Sequence, residues 1–341
     1  MGYVTGEPIL DNEYNNFISS SSDPYGINHV YGTGSGSYGL GQTDLTISVS
    51  PGDVITATKW NSLFSTMDTV AAHTNVSITS TATRTAGDPI AVKAALVSDL
   101  ASLASAVAGG SLNTSAVSAG SVDQAQVSQG SYDQSYVSEV SFTFDGGDEA
   151  RWFFNAGGRL RVAIQNSDVN FSSKDDVLNN LISQMGNFDL RATTSTVDGV
   201  GDGSSAADST AGSDLNLGYF DLTTSYQTIY LITESTSTYS ATYDGNIYIK
   251  VEGKTSAAHA DGRGNNGEVV TLRVTTYVDT GTHTDYDSTA IGSTAAPVKA
   301  HSAGPTTINH STVDPQTTYL STVYTNIAVA SVSNTTNDSG S

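Results

Sequence analysis

No cysteine occurs in the 341 residues, so neither disulfides nor thiolate metal sites are available, and stability has to come from burial or from assembly. Positive charge is scarce too. Thirteen Lys and Arg stand against 34 Asp and Glu, a formal net charge of −21, which leaves no electrostatic footprint for a phosphate backbone and argues against nucleic acid as a partner. No run approaches the roughly 18 consecutive apolar residues of a bilayer crossing, so no membrane insertion is expected. The opening stretch MGYVTGEPILDNEY lacks the basic flank and continuous apolar stretch of a secretory signal, and the expectation is a chain made in a cytoplasm.

Charged residues amount to only 14%, and Ser, Thr, Gly and Asn fill the deficit, a bias toward strands and turns. Seventeen Tyr and nine Phe, with Val and Ile spread through Thr-rich runs, supply the half-buried alternating surfaces that strands need. The fold class expected is therefore mainly β. The length allows two domains, or one large domain with an arm.

Residues 1–56 read as an extended N-terminal arm. SSSSDPYG and YGTGSGSYGLGQ are turn chemistry, and Leu45, Ile47 and Val49 alternate as in one strand. An arm with little core of its own has to lie on this chain or on the next copy. Over 57–109 the period changes to that of a helical pair. Trp60, Leu63, Phe64 and Met67, followed by Val70 and Ala71, make one apolar face of a helix over about 57–73, with Thr56 as N-cap. Leu96, Val97, Leu100, Leu103 and Val107 carry a second helix over about 90–107, ended by Gly109 and Gly110. The two stripes are expected to pack together.

Residues 110–139 are three decapeptides, GSLNTSAVSA, GSVDQAQVSQ and GSYDQSYVSE. Their apolar anchors, Leu112 and Val117, Val122 and Val127, Tyr132 and Val137, fall five residues apart. A step of five builds no continuous helical face and crosses to the opposite side of a strand. So few apolar groups do not offset an ordering entropy of about 1–2 kcal/mol per residue. The block is accordingly expected to be a shaft or intersubunit segment, with these six residues as oligomer contacts between copies, most naturally three. A flexible Ser/Gly linker is the competing reading.

Residues 140–341 read as a β-rich domain, a sandwich of jelly-roll-like kind with one helix, KDDVLNNLISQM, over an edge. Within it, ARWFFNAGGRLRV is expected to form a hairpin with Trp152 and Phe154 on one face. Catalytic chemistry is not indicated. Gly34, Gly36 and Gly39 have dinucleotide-loop spacing, but a strand-like segment follows where a helix N-terminus is required, so no cofactor is expected. The six histidines, His29, His73, His259, His283, His301 and His310, show no zinc spacing. Asp198, Asp202, Asp208 and Asp214 lie in a loop that could hold calcium, yet the spacing is not that of a calcium-binding loop and no metal site is assigned.

YGLGQTDLTISVSPGDVITATKWNSL, ARWFFNAGGRLRV, and the pair NIYIKVEG and GEVVTLRVTTYVDTG resemble segments of virion structural proteins of tailed bacteriophages, particularly those of marine cyanobacteria and other aquatic bacteria. The decapeptides are not part of that pattern. The resemblance implies a non-enzymatic building block of the virion, assembled in the host cytoplasm from copies of itself with other virion proteins. A homotrimeric, fibre-like tail or neck appendage is expected, anchored by 1–109. Its rivals are a capsid-surface or filament subunit and a module that binds or degrades host-surface glycan.

Overall fold

The computed structural model describes residues 10–88, 93–117, 124–130, 132, 134–166, 173–199, 217–233, 247–257, 267–278, 304–322 and 327–337. The first 56 residues are less extended than expected. They carry helix α1 (Asp11–Ile18), with Tyr14, Phe17 and Ile18 buried at i, i+3 and i+4, and a single buried turn, α2 (Ile27–Val30). Helix α3 (Ala57–Thr74) starts where the Thr56 hydroxyl accepts from the Lys59 N–H at 3.3 Å, and it ends at Asn75 with φ of 58°. Trp60, Leu63, Phe64, Met67 and Val70 are all buried along it. Helix α4 (Lys93–Ala108) buries Leu96, Leu100, Leu103 and Val107 against them, while Val97, expected inside, is 36% exposed.

Tyr14 meets the Trp60 ring edge-on at 5.0 Å, so the arm lies on its own chain. It supplies seven of the twenty buried residues of a second apolar cluster, most of the rest coming from α3 and α4. The stretch around Leu45 and Val49 forms no strand. Side-chain amides take the place of a neighbouring strand. The Asn28 amide donates to the Leu45 carbonyl at 3.1 Å and accepts from its N–H at 2.7 Å; Asn15 does the same for Val49 at 2.8 and 2.9 Å. Asn28→Asp keeps the acceptor and turns a carboxylate oxygen toward a carbonyl. It should cost about 1–3 kcal/mol, read from the urea midpoint, because a half-buried carbonyl loses its donor.

After a 3₁₀ turn at Thr114–Ala116, the remainder is built on β1 (Gln124–Gln129), β2 (Ser135–Thr143), α5 (Gly147–Asn155), β3 (Arg159–Asn166), α6 (Ser173–Met185), β4 (Asn187–Leu190) and β5 (Ser195–Val197). There follow β6 (Gln227–Thr233), β7 (Tyr248–Thr255), β8 (Val269–Tyr277), β9 (Thr306–Val313) and β10 (Ala328–Asn337). They form two antiparallel five-stranded sheets, ordered β1-β9-β3-β4-β5 and β10-β2-β8-β7-β6. The chain is thus mainly β. Alternation explains the inner faces: Leu160, Val162 and Ile164 of the first sheet share one buried cluster with Val140, Phe142, Leu272 and Val274 of the second. On the outer face of the second sheet Glu139, Arg273 and Glu252 stand directly opposite one another on three strands. There Arg273 bonds Glu252 at 2.9 Å.

The expected hairpin at ARWFFNAGGRLRV is half right. Its second arm is β3, but its first is helix α5. Ala150, Phe153 and Phe154 sit at i, i+3 and i+4 and are buried together, and Asp148 and Glu149 occupy the first turn, where the helix dipole favours acids. A strand would have put the two adjacent phenylalanines on opposite faces. Gly157, with φ of 97°, ends the helix.

Helix α5 joins the two clusters. Arg151 and Trp152 both donate to the Thr33 carbonyl at 2.8 Å. Asn155 donates to the carbonyls of Ser37 and Gly39 at 3.1 and 2.8 Å. The glycine-rich loop at residues 33–39 thus presents a set of carbonyls to one helix face. A second joint is Gln42, whose Oε1 accepts from the Ser321 N–H and hydroxyl and the Thr322 N–H at 3.0–3.1 Å. Its Nε2 donates to the Leu40 and Thr322 carbonyls at 2.9 Å.

Candidate functional site

Where they are described, the three decapeptides sit in three different surroundings: the first runs through a 3₁₀ turn, and the second halves of the second and third are both strand, in β1 and β2. In the first, Asn113 closes the end of α3: its N–H donates to the His73 carbonyl at 2.8 Å and its Nδ2 to the Ala72 carbonyl at 3.1 Å. Only an amide does this, and the equivalent residues of the other copies are Asp123 and Asp133. Leu112 and Val117 are half-buried and lie over Gly157, where an added Cβ would meet them at 2.6–2.9 Å. Val117 also bridges to Pro315.

The third copy is spent inside the sandwich. Tyr132 is 1% exposed. Its hydroxyl lies 2.7 Å from that of Thr276 on β8 and 3.4 Å from that of Thr306 on β9, linking the two sheets. Val137 is half-buried in β2 between Thr275 and Thr335. Ser138, the ninth residue of the copy, reaches across the core to His310 Nε2 at 2.8 Å. Neither polar link has a signal in sequence spacing, since both partners lie more than a hundred residues away.

The second copy differs. Val122 lies outside the described residues. Val127 stands opposite Ile308 in β1, which among the described residues pairs with β9 alone and forms the edge of its sheet. Beside it runs β10, the edge of the other sheet, with no ladder between the two. Gln126 and Ser128 are exposed, and the Ser128 hydroxyl lies 3.0 Å from that of Thr307. The strand QAQVSQ contains none of the usual guards of an edge, namely Lys, Pro or a bulge. The helical packing residues Trp60, Leu63, Phe64 and Met67 lie far from this edge in role, all buried in the second apolar cluster.

Other chemistry is structural. His73 and His310 are fully buried, and burial pushes each down to about 4 from 6.5, with the Asn155 backbone partly offsetting the effect at His73. His29 is lowered in the same direction, by burial first; its ring stacks on Tyr25 at 5.8 Å and meets Tyr38 tilted at 4.7 Å. Asp198 holds the Asn187 N–H and side-chain amide at 2.6 and 2.9 Å; Asp202, Asp208 and Asp214 lie outside the described residues, as do His259, His283 and His301. Among the described residues no group of three or more acids and histidines is placed to hold a metal ion. None of the described Tyr, Trp or Phe residues is classed as exposed; Tyr248 and Tyr277 stack on each other at 4.8 Å across two strands. No described helix is long and apolar enough to cross a membrane. No protein family model, curated protein or solved structure matches the chain.

Proposed function

We propose that this chain is a non-enzymatic structural subunit of a tailed-phage virion that assembles with copies of itself, most naturally three, through the β1 edge. In this reading residues 1–109 anchor a fibre-like tail or neck appendage, and the two sheets form a jelly-roll-like sandwich that projects from the particle. One observation carries it: a repeat-derived strand, lean in apolar groups and without an edge guard, has a ladder partner on one side only among the described residues. Each further ladder bond on that edge is worth about 1 kcal/mol, so a six-residue strand added from a neighbour is enough to bias association when repeated by symmetry. The phage assignment is supported by the sequence resemblance alone.

Light scattering on the full chain tests the reading. A trimer is expected, and Gln126→Lys with Gln129→Lys should release monomers at an unchanged melting temperature, because both side chains lie at least partly in solvent and the lysines guard the edge. A polymer that grows with concentration would move the assignment to a lattice or filament subunit. A lone wild-type monomer would overturn it in favour of the glycan module.

A further inference from the structure

Three of the chain's 13 basic residues converge on the outer face of the first sheet. Arg159 and Arg161 alternate on β3 with Leu160 and Val162, which point into the core. Asp189 of β4 stands directly opposite Arg161. Its carboxylate is saturated by arginine: Arg161 grips it with Nε at 2.7 Å and Nη2 at 2.9 Å, and Arg159 adds Nη1 at 3.1 Å. Arg191 follows two residues later. Because Leu160 pairs with Leu190, continuing the register sets Arg191 opposite Arg159. The turn at Ala192 and Thr193 preserves that geometry, since the Arg191 N–H bonds the Thr194 carbonyl at 3.0 Å and Ala192 returns to the core.

Like charges directly across an antiparallel pair repel, with Cβ atoms about 5 Å apart. Here the one carboxylate bonds two of the three guanidinium groups. Among the described residues Arg191 has no ion pair, and the Nε atoms of both Arg159 and Arg191 are buried without a hydrogen-bond partner. Asp198, the next carboxylate felt by Arg161, is already engaged by Asn187. Burial first, and then Arg159 and Arg161, push the Arg191 guanidinium down, against the pull of Asp189. A partly buried guanidinium without a counter-ion is costly, and the group's planar fork matches an oxyanion.

We propose that Arg159 and Arg191, with Arg161 behind them, form a binding site for one small oxyanion such as phosphate or sulfate, which bridges the opposed guanidinium groups and completes the fold of the β4–β5 hairpin. On a chain of net charge −21 such a site takes an ion out of bulk against the overall field, so it depends on local geometry. Melting of the full chain in inorganic phosphate, against sodium chloride at matched ionic strength, reads it out. The wild type should gain several degrees in phosphate, saturably, and Arg191→Gln should lose that gain while melting no lower than wild type in chloride, since its opposed charge is gone. An equal phosphate gain in Arg191→Gln overturns the site, as does no gain in the wild type. Should Arg191→Gln fail to fold, equilibrium dialysis of labelled phosphate against the wild-type chain decides. One ion bound per chain and displaced by sulfate supports the site, and no binding overturns it.

Discussion

Acidification from pH 7 to pH 5 will remove about 4 kcal/mol of stability from this chain, well before its carboxylates titrate. His73 and His310 cause it. Both are fully buried, and both are held neutral down to about 4. In the unfolded chain they take up protons near 6.5, the ordinary value for histidine, so below that pH the unfolded state binds protons that the folded state refuses. Stability is therefore complete above pH 6.5, falls by about 1.4 kcal/mol per unit for each histidine as the pH drops, and levels off below about 4. His29 shifts in the same direction and adds to the slope. Urea unfolding at pH 7, 6 and 5 measures the effect. His73→Phe with His310→Gln should flatten the profile over this range whatever it does to stability at pH 7; an unchanged slope would show that the histidines are not its source. Relief of self-repulsion among 34 acids works the other way, but it sets in lower, where those groups protonate.

Gln42→Ala is expected to cost about 3–5 kcal/mol, among the largest losses available to a single side chain that is not apolar. The residue is 2% exposed. Its amide holds the N-terminal segment to the backbone at Ser321 and Thr322, some 280 residues on, and no other group replaces those bonds. Gln42→Glu separates shape from chemistry. The acceptor toward Ser321 and Thr322 survives, but the two carbonyls at Leu40 and Thr322 that received a donor now face a buried negative charge. The loss should equal or exceed that of alanine at pH 7, and part of it should return on acidification as the carboxyl regains a proton. Chemical denaturation of both variants checks this. A cost below about 1 kcal/mol for either would mean that the joint is redundant with the α5 contacts to residues 33–39.

Helix α3 was legible because its signals are local: a capping Thr56 and an apolar face recurring every three to four residues, all buried as the period requires. The strands β3, β7 and β8 were legible for the same reason at period two. Helix α5 carried a readable pattern as well, Ala150, Phe153 and Phe154 after two acids, but it competed with the strand propensity of its aromatics and with the turn-like Asn155-Ala156-Gly157-Gly158. The segment around Leu45 alternates like a strand, and what it lacks is a neighbour; Asn28 and Asn15 fill the ladder instead, which no spacing announces.

The decapeptides make the division plainest. Composition and periodicity by themselves determined a mainly β chain with a helical pair, acidic, without thiol chemistry, carrying a thrice-written unit too poor in apolar groups to order alone. Only the tertiary structure decided that one copy caps a helix, one becomes a sheet edge and one enters the core. A repeat specifies the same local options each time, but the free energy of choosing among them comes from contacts distant in sequence: Ala72 for the first copy, Thr307 and Ile308 for the second, and Thr276, Thr306 and His310 for the third.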